Sequence, residues 1–290
     1  MRLGAHISVS GGYAKALDYA ESVGCECAQI FAKSPRQWRS APTDPEVAAR
    51  FRADREARGF GPVFTHTAYL INPATSDPVI REKSIAALAD ELVRGCLLGA
   101  AGVVTHIGND PDGDPAAAAL RVGEAAVRAF ELAGGDACHT RLLLENTAGA
   151  GRTFGSTFEE LGACIDAAGL PVSRLGVCLD TCHAWAYGMP VDTVAGWREV
   201  VAGIEGCCGA GRLGLIHAND CLFERGSKRD RHAWIGDGFI GRDGFSAMVC
   251  TPELADVCVV TEMPGEVPEK DSENIGRLRA LRDECASSHA

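Results

Sequence analysis

Eight short apolar runs recur along the chain, their starts 24 to 44 residues apart, and this spacing constrains the fold more than any other feature. The runs are LGAHIS (3–8), CAQIFA (27–32), PVFTHT (62–67), GVVTHIG (102–108), RLLLENT (141–147), LGVCLDTC (175–182), LGLIHAND (213–220) and VCVVTE (257–262). Each is rich in Val, Ile or Leu, as parallel strands covered on both faces should be. The segments between them have helical period. In 78–99, Ile80, Ile85, Leu88, Leu92 and Cys96 fall near one face, as in an amphipathic helix. Asp77 before Pro78 is a helix start, Ser156 with Glu159 has capping-box spacing, and Gly24, Gly99, Gly134 and Gly169 stand where helices should stop. No Pro- or Ser-rich linker interrupts the alternation. The sequence therefore predicts one α/β domain over 1–290, a (β/α)₈ TIM barrel with its last few residues frayed. A doubly wound open sheet is the other topology that this alternation allows.

The strand ends carry the chemistry. Strand three ends in Thr65-His66, strand four in Thr105-His106, strand five in Glu145-Asn146, and strand six in Asp180 with His183 three residues on. Strand seven ends in His217 with Asn219-Asp220, strand eight in Glu262, and the loop after strand seven adds Asp230-x-His232. In a barrel of this type the strand C-termini form one rim, where the active site lies. A single polar strand end is more often a hydrogen-bonded structural residue than a ligand. Six in succession are another matter, because so many ionisable groups in one buried place are costly unless cations compensate.

The candidate ligands are His66, His106, Glu145, Asp180, His183, His217, Asp230, His232 and Glu262, which include five of the eight histidines. They are more than one tetrahedral zinc can use, so at least two metals are implied. Mixed imidazole and carboxylate ligands suit Zn²⁺, with Mn²⁺ or Fe²⁺ as substitutes, and argue against Mg²⁺ or Ca²⁺. A multi-metal cluster with open positions activates water and stabilises the oxygens of an in-line phosphoryl displacement, which points to a phosphate-ester hydrolase. Two-metal sugar isomerases and epimerases use similar rim chemistry, so the ligand pattern leaves both open.

Two basic loops lean toward a polyanion. KSPRQWR (33–39) carries Lys33, Arg36 and Arg39 beside Trp38, and ERGSKRDR (224–231) carries Arg225, Lys228, Arg229 and Arg231. Both are expected on the rim that carries the ligands, and bases beside an aromatic suit a phosphate backbone with nucleobases to stack on. HTAYLIN (66–72) is expected to expose Tyr69, Leu70 and Ile71, as a packed lid or as a wedge between base pairs.

Composition removes other classes. No apolar run is long enough for a transmembrane helix, and MRLGAHISVSGG lacks the apolar stretch of a signal peptide. The expectation is a cytoplasmic protein, nucleoid-associated in a bacterium, acting as a monomer with no membrane partner. The 13 cysteines are odd in number, and several lie in apolar runs, which reads as buried reduced thiols. Cys25-x-Cys27 and Cys207-Cys208 have no second pair to complete a metal motif. The net charge of −11 is the one observation against a nucleic-acid partner.

The motifs GAHISVSGG, KSPRQWR, HTAYLIN, LLLENTAGAG, VCLDTCHA, IHANDC and DRHAWIGDGFIG, spread over nearly the whole chain, resemble those of the endonuclease IV family of abasic-site endonucleases. The resemblance implies a xylose-isomerase-like TIM barrel and a zinc-dependent enzyme of base-excision repair. Such an enzyme hydrolyses the phosphodiester 5′ to an abasic site in double-stranded DNA by a metal-activated hydroxide, leaving a 3′-hydroxyl. It implies three zinc ions: one held by His66, His106 and Glu145, a second by Asp180, His217 and Glu262 with Glu145 bridging, and a third by His183, Asp230 and His232. Glu145 and Glu262 would be the catalytic carboxylates. Arg36, Tyr69 and Leu70 match positions that penetrate the DNA and stabilise a flipped-out abasic nucleotide. Ile107 stands where the family commonly has Pro, and LINPA and TEMPG also depart from the commoner wording, but no ligand is lost. The resemblance also answers the charge objection. Four of the 39 acids are candidate zinc ligands, so the ions' own charge belongs in the reckoning. Residues 253–284 hold nine acids against four bases, whereas the two rim loops are basic. A barrel that has lost catalysis and only binds damaged DNA is disfavoured, because every ligand position holds a competent residue type.

Overall fold

The structure, a computed structural model, describes residues 1–135, 139–263 and 267–288. Eight parallel strands close into a barrel: β1 (Arg2–Ile7), β2 (Cys27–Phe31), β3 (Val63–His66), β4 (Gly102–His106), β5 (Arg141–Glu145), β6 (Leu175–Asp180), β7 (Leu213–His217) and, after two short strands, β10 (Cys258–Thr261), which pairs with β1 to complete the ring. Each coincides with one of the eight apolar runs, with β1 beginning one residue before its run, at Arg2. Nine helices stand among the described residues: α1 (Tyr13–Ser22), α2 (Pro45–Ala57), α3 (Pro78–Leu98), α4 (Pro115–Leu132), α5 (Phe158–Ala168), α6 (Thr181–Tyr187), α7 (Val194–Cys208), α8 (Gly241–Val249) and α9 (Pro268–Ser288). The two-residue strands β8 (Asp220–Cys221) and β9 (His232–Ala233) pair antiparallel at the ends of the loop after β7. The open-sheet alternative is excluded by the closure. Among the described residues no helix is long and apolar enough to cross a membrane.

Alternation along the strands builds two cores. Outward residues such as Leu3, Ile30, Val103, Leu144, Val177, Ile216 and Val259 pack with the helices. Inward residues Cys27, Phe64, Val104, Leu143, Cys178, Leu215, Cys258 and Val260 fill the barrel as a dry plug. Burying each large apolar side chain of the plug contributes roughly 1.5–3 kcal/mol.

Asp-Pro pairs start three helices. The side chains of Asp44, Asp77 and Asp114 accept backbone N–H groups of the first turns of α2, α3 and α4, each with Pro at the first position. In α3, Ile85, Leu88 and Leu92 are buried, whereas Ile80 is exposed and Cys96 only half-buried. Gly99 and Gly169 cap α3 and α5 in the left-handed conformation, and Gly24 and Gly134 take positive φ one residue past the caps of α1 and α4. The capping box of α5 sits one residue later than the sequence suggests. Thr157 and Glu160 form it, because Glu160 Oε2 gathers the N–H groups of Gly155, Ser156 and Thr157.

Two further expectations need correction. Cys250 and Cys285 form a disulfide between the end of α8 and α9, at a Cα separation of 5.6 Å, within bridging reach. Among the described residues nine cysteines are free, and all but half-buried Cys207 are buried, as expected of thiols in apolar runs. Ile71 is buried rather than exposed, so the apolar tip of its loop consists of Tyr69 and Leu70 alone. Residues 289 and 290, where fraying was expected, and Pro264 and Gly265 of the C-terminal motif lie outside the described residues.

Candidate metal centre

Side chains two residues apart on a strand share a face. Above each apolar plug residue the next inward position is therefore at the rim, and there the chain is polar on every strand. Phe64 is followed by His66, Val104 by His106, Leu143 by Glu145, Cys178 by Asp180, Leu215 by His217 and Val260 by Glu262. Strand register then makes neighbours of His106 and Glu145, and of Asp180 and His217.

All nine candidate ligands converge. His66, His106 and Glu145 form one group, Glu145, Asp180, His217 and Glu262 a second, and His183, Asp230 and His232 a third, each with its donor atoms within 4.8 Å of one another. Glu145 belongs to the first two, and its oxygens divide between them. Oε2 lies 3.1 Å from His66 Nε2 and 3.4 Å from His106 Nδ1, while Oε1 lies 3.0 Å from His217 Nδ1. A carboxylate so placed can bridge two cations. Asp180, Cys182 and His232 make an overlapping group that includes a thiol absent from the sequence-derived set. Neither Cys25-x-Cys27 nor Cys207-Cys208 joins such a group among the described residues.

The donor set fits divalent metals. Four imidazoles commit one nitrogen to an acceptor: His66 Nδ1 donates to the Thr67 carbonyl (2.9 Å), His183 Nδ1 to the Asn146 carbonyl (2.9 Å), His232 Nδ1 to the Glu262 carbonyl (2.8 Å) and His217 Nε2 to Gln29 Oε1 (2.9 Å). An amide oxygen only accepts, so these nitrogens carry the proton and the other nitrogen presents a lone pair. Those lone pairs face carboxylates. His183 Nε2 is 3.2 Å from Asp230 Oδ2, and His232 Nε2, buried without a hydrogen bond, is 3.3 Å from Asp230 Oδ1. Lone pair against anion is repulsive unless a proton or a metal cation lies between them, and mixed nitrogen and oxygen donors suit zinc as that cation.

The electrostatics agree. Burial drives the His183 imidazole down, but Asp180, Asp230 and Glu145 outweigh it and lift it to about 10. His232, also opposed by burial, is lifted to about 9 by Asp230, Asp180 and Glu262. Burial pushes the Glu145 carboxyl up, yet His106, His217 and His66 hold it well below its ordinary range. Carboxylates that bind protons this firmly through their histidines form a site that demands positive charge.

The metal groups open onto a cleft of 1170 Å³ whose wall includes Arg36, Tyr69, Arg231 and Glu262. Tyr69 is 60% and Leu70 37% exposed. Tyr69 N–H donates to the Pro35 carbonyl, which ties this tip to the loop after β2. Arg36 is exposed, but Trp38 is half-buried against the core and Lys33 is wholly buried, paired with Asp90 at 2.8 Å and Glu91 at 3.6 Å. The structure does not bring these last two to the cleft surface as free groups. In the loop after β7, the exposed bases rest on neighbouring aromatics: Arg225 on Trp185, Lys228 on Tyr187 and Arg229 on Phe223.

Several functional residues escaped the sequence argument. Gln29 and His6 occupy the inward rim positions of β2 and β1, two residues past Cys27 and Gly4. The same two-residue step from the plug would have found them. Asn219 donates to Asp180 Oδ2 at 2.6 Å and accepts from the Glu262 N–H at 2.7 Å. Buried Asp220 accepts from five backbone N–H groups, that of Cys221 and those of Gly236, Gly238, Ile240 and Gly241 in the stretch that follows His232. Ile107, the residue that departs from the commoner Pro, is fully buried and packs toward Gly155 instead of lining the cleft.

A profile of the xylose isomerase-like TIM barrel matches residues 17–282. The chain is 41% identical to a probable endonuclease 4 of Methanoculleus marisnigri, over 96% of this chain and 98% of that protein. It is equally similar, at 41%, to a probable endonuclease 4 of Chloroflexus aurantiacus, over 97% and 98%. The chain belongs to the endonuclease IV family. The crystal structure of endonuclease IV from Thermus thermophilus superposes with a TM-score of 0.86 at 37% identity, covering 98% of this chain and all of that one. A D-tagatose 3-epimerase-like protein also superposes over the full length of both chains, with a TM-score of 0.77, but at 17% identity that likeness shows the fold alone. The endonuclease IV likeness thus favours nuclease over epimerase.

Proposed function

We propose that the chain is a zinc-dependent endonuclease of DNA base-excision repair that hydrolyses the phosphodiester 5′ to an abasic site in double-stranded DNA, leaving a 3′-hydroxyl. The observation that carries this reading is Glu145, which turns one oxygen to each of two metal-capable groups at the floor of an open cleft. The relatives' names support the endonuclease class. His66, His106 and Glu145 would hold one ion, Glu145, Asp180, His217 and Glu262 a second, and His183, Asp230 and His232 a third. Zn²⁺ fits this donor set, and Mn²⁺ or Fe²⁺ could substitute. Bound there, such ions supply Lewis-acid charge to phosphate oxygens and lower the pKa of water.

The chain's own residues do the rest. Glu145 keeps its charge because the imidazoles around it outweigh its burial, and so it would be free to ligate in both groups at neutral pH. Glu262, on the cleft wall, has Oε1 held by Gln29 at 2.6 Å and Oε2 3.1 Å from His217 Nδ1, so it can ligate and orient the attacking nucleophile. Arg36 and Arg231 offer charge to the DNA backbone at the mouth. Tyr69 and Leu70 form an apolar tip of the kind that wedges into a base stack, and extruding a nucleotide costs least where its base is already missing. All nine candidate ligands come from one chain, which supports a monomer as the working unit.

Incision of a duplex carrying one tetrahydrofuran abasic analogue tests the proposal. Activity should vanish after chelation and return with Zn²⁺. A metal-loaded sample that leaves the duplex intact overturns it.

A further inference from the structure

We propose that Gln29 is a positioning residue whose single amide sets the tautomer of His217 and the orientation of Glu262 together. This rests on the metal-binding role given above to the group of Glu145, Asp180, His217 and Glu262, and goes beyond it.

Gln29 is fully buried at the inward rim position of β2. Its Nε2 donates to Glu262 Oε1 at 2.6 Å and lies 2.9 Å from His6 Nδ1, while its Oε1 accepts from His217 Nε2 at 2.9 Å. Only one orientation of the amide suits these neighbours. Reversed, it would set its oxygen 2.6 Å from a carboxylate oxygen. With the amide fixed, His217 must carry its proton on Nε2, because Gln29 Oε1 can only accept. The lone pair then lies on Nδ1, the nitrogen 3.0 Å from Glu145 Oε1 and 3.1 Å from Glu262 Oε2. The other amide hydrogen holds Glu262 Oε1 back and leaves Oε2 to face His217.

His6 braces the arrangement from behind. Its Nδ1 accepts the second amide hydrogen of Gln29, which places its own proton on Nε2, a buried atom with no hydrogen-bond partner. The strands bring the pair together directly, since His6 and Gln29 are register partners of β1 and β2. Outer residues that fix a metal-binding imidazole in this way typically change metal affinity by about 10–100-fold when removed.

Two variants of the full-length chain test the role. Gln29→Met keeps the length and removes both contacts. Gln29→Glu keeps an oxygen for His217 and removes the donor to Glu262. Zinc affinity is read by competition with a chromophoric chelator, and the His217 Nε2–H of the zinc-loaded protein by ¹⁵N-edited NMR. Gln29→Met should weaken one zinc site by about 10–100-fold and lose the protected Nε2–H, while Gln29→Glu retains that proton. Should Gln29→Met fail to fold, Gln29→Glu decides alone. Unchanged zinc affinity and an intact Nε2–H in Gln29→Met, or loss of that proton in folded Gln29→Glu, overturns the role of Gln29. Failure of the parent chain to bind zinc would overturn the metal reading itself.

Discussion

Asp220 holds the stretch 236–241 that follows His232, and removing its charge should cost the protein stability and loosen the placement of His232. Its Oδ1 accepts N–H groups of Cys221 (2.8 Å) and Ile240 (3.0 Å), its Oδ2 those of Gly236 (3.0 Å) and Gly238 (2.9 Å), and the Gly241 N–H reaches both oxygens. Truncation to Ala leaves five N–H groups without an acceptor in a buried pocket. At about 1 kcal/mol net for each, the loss is about 5 kcal/mol, a large part of the stability of a typical domain. Asn is the gentler probe. It keeps one accepting oxygen and turns an NH₂ toward donors on the other side, so roughly 2–4 kcal/mol should go. The loss should be local, because the barrel plug does not involve this loop. Asp220→Asn should therefore unfold at lower denaturant, be cut by protease within 234–241 while the barrel resists, and carry less metal than the parent. A variant with the parent's denaturation midpoint, protease pattern and metal content refutes the reasoning.

Other predictions follow from the same geometry. Burial, opposed by Lys33, lifts the Glu91 carboxyl from its ordinary 4.5 to about 7. The folded chain then holds a proton that the unfolded chain has released, so the stability gained from Glu91 is complete below pH 4.5 and lost as pH rises to about 7, by about 3 kcal/mol. Glu91→Gln should flatten this slope in denaturation curves at pH 5 and pH 8, and an unchanged slope refutes it. Tyr69→Ala with Leu70→Ala should fold and bind metal as the parent does. It should also lower kcat/KM on an abasic duplex by about 10-fold or more, from stacking worth about 1–3 kcal/mol; parent-like incision rejects the wedge. Glu145→Gln should abolish turnover with the fold intact by circular dichroism, and residual parent-level activity removes its bridging role.

The net charge of −11 is compatible with a DNA substrate because charge is distributed rather than averaged. Four candidate ligands are acids gathered in the metal-capable groups, Arg36 and Arg231 stand on the cleft wall, and other acids are tied up elsewhere. Glu26, for example, takes both terminal nitrogens of Arg282 on α9. Lys33 shows the converse. It counts as a basic loop residue in the sequence, yet it is spent inside the fold on Asp90 and Glu91.

The barrel and its candidate ligands were legible in the sequence because both depend on local order. An apolar run followed by a polar residue two positions after its last inward member needs no knowledge of neighbours, and His66, His106, Glu145, Asp180, His217 and Glu262 all satisfy that rule. Gln29 and His6 satisfy it too, but an amide and a lone imidazole carry less chemical signal than a His or a carboxylate repeated along the rim. Ile71 was misjudged because sequence shows that a loop is apolar without showing which side chains turn inward.

What the sequence determined alone was the alternation of strand and helix, the rim on which the polar residues lie, and their fitness for metal. Tertiary structure decided the rest: that Glu145 divides its oxygens between two groups, that one glutamine serves both His217 and Glu262, and that Asp220 anchors its loop. The first two join residues 72 to 233 positions apart across strand register, and the third folds a loop back on its own start. Chain order does not encode those distances; barrel closure sets them.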